Sequence, residues 1–295
     1  MYKLFMEFEN PTEAFTGKRE TVQGFAVHGD IGFVLFHTGV CAAYDLISRD
    51  PKPLGVFKLG SYNFGDPDKR YTNHANDAMF GITLAGEKFP LLYVTAGNSG
   101  ESDEKGYIGY CAVEQIRQEN GVFTSRTLQR IYYKNDGIEK TPYQVPGWGW
   151  PASLVDVKGG WYYMLSARYR TKKSLARPDN AYIITKFSLP SPGDGDVTLY
   201  PKDIVEQYEL PFRVFFAQGG TVKDGKLWYM FGCGKEEHPN AIQTVDLQKK
   251  EWILQEDLSK TPFGNDEVEC CAFWGERLLI NTQSGKLYER IENGA

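Results

Sequence analysis

The chain has no run approaching the roughly 20 apolar residues needed to span a bilayer. It also has no surplus of positive charge. Its 33 Lys and Arg face 38 Asp and Glu, for a formal net charge of -5. The first absence argues against a membrane span. The second argues against general affinity for a phosphate backbone, which needs excess Lys and Arg. Paired-cysteine signals are missing too: Cys41, Cys111, Cys233, Cys270 and Cys271 are an odd set with no CxxC spacing. They read as buried free thiols and tilt toward a reducing compartment. The four histidines (His28, His37, His74 and His238) show no metal-ligand spacing. HExxH, GxSxG and a Gly-rich loop ending in Lys-Ser/Thr are all absent. The first residues, Met1 to Glu9, alternate and carry acids early, unlike a signal peptide. Either the protein stays in the cytoplasm or an export signal was removed ahead of this numbering.

Aromatic residues and glycine are abundant. Aromatics make up 14% of the 295 residues and there are 31 Gly, a balance that suits short strands and tight turns better than long helices. Gln23-Gly24-Phe25-Ala26-Val27 leads through a Gly/Asp turn to Phe33-Val34-Leu35-Phe36. Gln218-Gly219-Gly220-Thr221-Val222 leads through Asp224-Gly225 to Leu227-Trp228-Tyr229-Met230-Phe231. The two segments align without a gap. Three more segments fit the same template, around Asn76–Val94, Trp150–Leu165 and Glu269–Ile280. In-phase repetition of this kind signals stacked or radial architecture.

A third strand follows each pair, at Cys41–Leu46, Tyr107–Val113, Ala181–Phe187, Ala241–Leu247 and Lys286–Ile291. A more polar fourth follows at Leu54–Leu59, Phe123–Tyr132, Ile204–Leu210 and Glu251–Leu258. The fifth unit lacks a fourth strand, whereas Lys3–Glu9 is a strand without a unit. The pattern predicts an all-β chain, a five-bladed β-propeller of four-stranded antiparallel blades whose last blade is closed by the N-terminal strand. The blades cover approximately 20–60, 74–133, 150–210, 215–258 and 266–295 plus 1–10, in one domain. A β-sandwich explains neither the phase of the repeat nor the orphan first strand.

In a propeller the inner strands start at one face and line the axis, so polar residues at their first turns converge. Here these are Gln23, His74, Asn76, Asp77, Trp148, Trp150, Gln218, Asp266, Glu267 and Glu269. Alternation sends Glu267 and Glu269 to one side and Asp266 to the other. If the two glutamates face the channel near Asp77, like charges raise at least one pKa, which suits a general base or a cation site. Asp77 also reads as a turn cap, and His74 as a hydrogen-bonded structural histidine. Trp148 and Trp150 suit stacking on a flat ligand or packing between blades. Arg168, Arg170, Lys172, Lys173 and Arg177 form a basic cluster, either a clamp for anionic groups or a solvated loop.

Phe216-Ala217-Gln218-Gly219 and Val22-Gln23-Gly24 resemble the Thr-Gln-Gly opening of the plant- and bacterial-type glutaminyl cyclases. Asn265-Asp266-Glu267-Val268-Glu269 is similar to that family's Asn-Glu-Leu-Glu stretch, with an extra residue after Asn265, and Gly147-Trp148-Gly149 is similar to its Gly-Trp-Gly. The resemblance implies that Glu267 or Glu269 is the channel carboxylate and that Trp148 belongs to the pocket. His74 to Ala78 resembles a segment of uncharacterised bacterial propellers, which implies no activity. Five-bladed glycosidases also share the blade count, but they need acids on the first three inner strands, and blades one and three offer none.

The expected function is therefore a ligand-binding or interaction propeller with a polar pocket at the channel mouth. The ligand is a small polar molecule, a sugar or a peptide end, held by Gln23, His74, Asn76, Trp148, Trp150, Arg168 and Gln218. The alternatives are a cyclase, lyase or hydrolase using Asp77, Glu267 or Glu269 as general base, and a protein-interaction scaffold. No cofactor and no metal site is predicted, with a divalent cation the other candidate for the channel carboxylates. The expected partner is a small polar ligand or peptide, with no nucleic acid, no membrane span and a monomeric chain.

Overall fold

The structure is a computed structural model that describes residues 1–62, 74–75, 77–97, 107–134, 152–168, 178–211 and 216–291. Its strands form five separate sheets. The first contains β2 (Val22–His28), β3 (Ile31–Phe36), β4 (Val40–Asp45) and β5 (Gly55–Lys58). The second contains β6 (Ala78–Phe80), β7 (Leu92–Gly97), β8 (Tyr107–Glu119) and β9 (Val122–Lys134). The third contains β10 (Ala152–Asp156), β11 (Trp161–Ala167), β12 (Ala181–Ser188) and β14 (Ile204–Pro211), and the short β13 (Val197–Leu199) lies between the last two in sequence. The fourth contains β15 (Ala217–Lys223), β16 (Lys226–Phe231), β17 (Ala241–Asp246) and β18 (Glu251–Asp257). The fifth contains β19 (Val268–Trp274), β20 (Arg277–Thr282), β21 (Lys286–Arg290) and, outermost, β1 (Tyr2–Glu7). One short helix, α1 (Thr12–Thr16), joins β1 to the first blade.

The ring closes as the orphan strand requires. β1 pairs antiparallel with β21, with Tyr2 opposite Arg290 and Glu7 opposite Lys286. Tyr2, Phe5, Met6 and Phe8 are buried by this pairing and by the neighbouring blade. The second blade departs from the template, because β13 adds to β9 as a parallel fifth strand. Val197–Leu199 thus leaves its own unit and covers an edge that would otherwise present unpaired backbone groups.

The aromatic content fills the wedges between blades. Phe33, Phe57, Phe89 and Phe123 pack together between the first and second blades. Tyr182, Phe231 and Trp252 pack between the third and fourth. Near the axis the residues are small instead. A Cβ on Gly24 would lie 2.5 Å from the Ala75 carbonyl oxygen, and one on Gly220 would lie 2.2 Å from the Trp228 carbonyl oxygen. The first absence lets the inner strand of blade one meet its neighbouring blade, and the second relieves crowding against β16 of its own blade, where the register is bulged between Ala217 and Gly220. All five cysteines are free thiols, four buried and Cys233 partly so.

Candidate functional site at the channel mouth

The inner strands β2, β15 and β19 all begin at the same face, called here the top. Gln23, Gln218 and Glu269 are at or near their first residues, and all three are buried. The Glu269 side chain lies under Gln23, whose Nε2 donates to Glu269 Oε1 at 3.4 Å. Glu267 sits half-buried above it. Gln218 Nε2 donates to Glu267 Oε1 at 2.8 Å, and Gln283 Nε2 donates to Glu267 Oε2 at 3.1 Å. Blades one, four and five therefore contribute two carboxyls and three amides to one cluster.

The electrostatics follow from burial. Desolvation raises the Glu267 pKa, with the Gln218 hydrogen bond and the Lys235 charge opposing. Glu269 is held well above the usual carboxylate range, first by burial and then by the negative charge of Glu267. Gln283 interacts with both carboxyls, so the two glutamates share a side, as strand alternation requires. Asp266 turns elsewhere and accepts from Thr282 Oγ1 at 2.6 Å and from the Ser284 amide at 3.2 Å.

Asp77 does not join the glutamates. It is fully buried, and its Oδ1 accepts from the Gly220 amide at 3.0 Å, with Cys270 Sγ 4.0 Å away. Gly220 is two residues beyond Gln218, one pleat repeat or about 7 Å deeper along the strand. Asp77 reaches that depth because Ala75, with φ of 51°, turns the chain so that its carbonyl accepts from the Gly24 amide at 2.7 Å. A left-handed alanine is strained and persists only where its surroundings hold it. Desolvation pushes the Asp77 pKa up to about 7, against the backbone amides of Gly220, Ser153 and Ala78. Its Oδ2 has no hydrogen-bond partner among the described residues. Asp77 thus ties blade two to blade four beneath the mouth.

The remaining candidates divide. His74 stands edge-on to His37 with ring centroids 4.6 Å apart, beside the first blade. Arg168 donates through Nη1 to the Asp179 carbonyl at 2.7 Å and pairs with Glu209 on the outer strand β14. That pairing lays it across its blade, away from the axis, and no described contact links it to the cluster. Asn76, Trp148, Trp150 and the rest of the basic cluster lie outside the described residues. The sequence reading missed Gln283. It stands in the turn between β20 and β21, a second-to-third-strand turn, and these turns lie on the top face. Among the described residues no group of three or more His, Cys, Asp or Glu side chains could hold a metal ion. No described helix is long and apolar enough to cross a membrane.

The bottom mouth differs in character. A shallow cavity of about 190 Å³ opens there, walled by Val27, Met79, Val222 and Phe273 among others. The Asp77 layer lies between it and the top cluster.

Together these features define the class: a five-bladed β-propeller with a carboxyl–amide cluster at one end of its axis. No family model matches the chain, and no curated protein matches it. Among solved structures the chain is similar to the glutaminyl cyclase of Myxococcus xanthus, at 12% identity and a TM-score of 0.50, over 98% of this chain and 94% of that one. It is also similar to the tail fiber of Staphylococcus aureus phage P68, at 8% identity and a TM-score of 0.49, over 98% of this chain and 52% of that one. At such identities the first likeness shows a shared fold and nothing finer, and the second bears on nothing further.

Proposed function

We propose that this propeller binds a small polar molecule or a peptide end at the top mouth of its channel. One observation carries the reading: Glu269 is 2% exposed, and among the described residues its side chain meets only two donors, the Gln23 amide at a long 3.4 Å and the amide of Gln283. A buried carboxyl normally gathers several donors or a cation. A carboxyl so thinly served at the end of a channel is a group whose partner arrives from outside. The test is a thermal-shift screen of polar ligands on the wild type and on Glu269→Gln, because a ligand of the folded state raises its apparent stability. A shift in the wild type that is lost in the variant supports the reading. Equal shifts in both, or none across amines, sugars, carboxylates and peptides, overturn it and leave the blade edges as the working surfaces of a scaffold.

A second reading, an enzyme, draws on the same pair. Two neighbouring carboxyls whose environments differ are the usual arrangement for acid–base work, one protonated and one ionised. Glu269 is the more buried and Glu267 the more open. In this reading Glu267 takes a proton and Glu269 gives one, as in a cyclase or hydrolase. Incubation with N-terminal glutaminyl peptides tests the cyclase form through release of ammonia. Activity undiminished in both Glu267→Gln and Glu269→Gln rejects it.

A further inference from the structure

The chemistry of the ligand can be read from the groups the cluster leaves over. This inference rests on the binding reading above. The amide nitrogens of Gln218 and Gln283 are spent on Glu267, and that of Gln23 on Glu269. Apart from the proton that burial favours on Glu269, what remains is acceptors. Gln23 is 4% exposed, and its Oε1 has no hydrogen-bond partner among the described residues. Asn281 donates through Nδ2 to the Gln23 carbonyl at 2.7 Å, and its own buried Oδ1 is likewise unpartnered. No described Lys or Arg makes an ion pair with Glu267 or Glu269. The nearest cationic influence is Lys235, an exposed side chain whose charge favours ionised Glu267.

We propose that the mouth recognises a protonated primary amine, seated between Glu269, Glu267 and the Oε1 of Gln23. An ammonium offers three donors and no acceptor, which matches a surface of acceptors. The exposed amide of Gln283 marks the route in. It donates to Glu267 Oε2 from the solvent side, and an incoming ammonium replaces one donor with a stronger, charged one. Below the ammonium, burial sets the selectivity. A neutral hydroxyl cannot draw Glu269 into its ionised form or offset the charge of Glu267, and an anion is repelled by the pair.

Burial and the charge of Glu267 favour the protonated form of Glu269, so an ammonium that draws it into the ionised form releases that proton and binds more strongly as pH rises toward the pKa of the amine. The charged groups near enough to act on the pair are Lys235 and, turned the other way, Asp266, with the Cys233 thiol beside Glu267. None of these supplies a second cation.

The test uses the full chain with glycylglycinamide and its N-acetyl derivative, which differ in the amino group. Isothermal titration at pH 6 and pH 8 should show the free amine binding and the acetylated form weaker by more than tenfold. The heat should vary between buffers of different ionisation enthalpy, reporting the released proton. Glu269→Gln keeps the size and hydrogen-bonding capacity of the side chain, and should weaken the amine by at least tenfold while leaving the melting temperature without ligand at or above wild type. Lys235→Ala checks whether that side chain already serves as the counter-ion: binding unchanged or tighter agrees with the proposal, whereas loss of binding contradicts it. Equal binding of the acetylated compound overturns it. If sugars or carboxylates bind in a Glu269-dependent way and amines do not, the pocket stands and the amine falls. If nothing binds, both fall.

Discussion

Replacing Asp77 by Asn isolates the energy of a carboxyl sealed on the propeller axis. The side chain is fully buried, and desolvation carries its pKa from 3.8 to about 7. The unfolded chain releases the proton near 3.8, whereas the folded chain holds it to about 7. Between these limits the folded state binds more protons, so stability falls as pH rises, and the loss is complete above pH 7. At about 1.4 kcal/mol per pH unit the gap amounts to roughly 4 kcal/mol, an upper value for a fully buried group. Asn keeps the Oδ1 that accepts from the Gly220 amide at 3.0 Å. It also puts an NH₂ where the unpartnered Oδ2 stands, facing the positive ends of the Ser153 and Ala78 amides, which favour an oxygen. That mismatch costs about 1–2 kcal/mol at every pH. Wild type should therefore be the more stable at pH 4, and Asp77→Asn the more stable by about 2 kcal/mol at pH 9, with a crossover between. Urea unfolding of both proteins from pH 4 to 9 measures this. Glu269 titrates in both proteins and cancels in the difference. Curves that stay parallel across the range would refute the reasoning.

Three further outcomes test the fold. Deleting residues 1–10 removes β1 and the buried Tyr2, Phe5, Met6 and Phe8, at about 2 kcal/mol each. The sum rivals a whole domain's stability, so the truncated chain should be unfolded or aggregated by circular dichroism and gel filtration, and an unchanged melting temperature would contradict the closure. Gly24→Ala places a Cβ 2.5 Å from the Ala75 carbonyl oxygen and disturbs its 2.7 Å bond from the Gly24 amide. A loss of about 2–3 kcal/mol in urea unfolding is expected, and a neutral effect would place Ala75 elsewhere. Glu114 is wholly buried and accepts from the amides of Gly60 and Ser61 and the hydroxyls of Ser125 and Thr127, all at 2.8–3.0 Å. Glu114→Ala strands four donors between the first two blades and should cost about 3–5 kcal/mol, whereas a loss below about 1 kcal/mol would mean the clamp is not formed.

Much of the ring was legible before any coordinates. Strand alternation and turn residues act over a few positions, so Gln23–Phe36 and Gln218–Phe231 could be matched by eye, and Lys3–Glu9 stood out as unpaired. Alternation also placed Glu267 and Glu269 on one side and Asp266 on the other. Other features were hidden because they depend on depth and distance. Asp77 and Glu269 look alike in the repeat, yet one lies about a pleat below the other's neighbours, since a left-handed Ala75 sets the register. Arg168 stands at the rim, in the turn after β11, but only the fold shows that it pairs with Glu209, 41 positions away on the outer strand.

The amino-acid order by itself determined the number of blades, their strands and the closure by the first strand, because each rests on local periodicity repeated in phase. Only the folded ring decided which polar groups share a cluster, which carboxyl is sealed beneath it, and that Val197–Leu199 leaves its own unit to cover β9. The first two come from side chains as many as 246 positions apart meeting at an axis, where burial and the absence of water set their charge, and the third from backbone pairing at the outer edge between segments 66 positions apart.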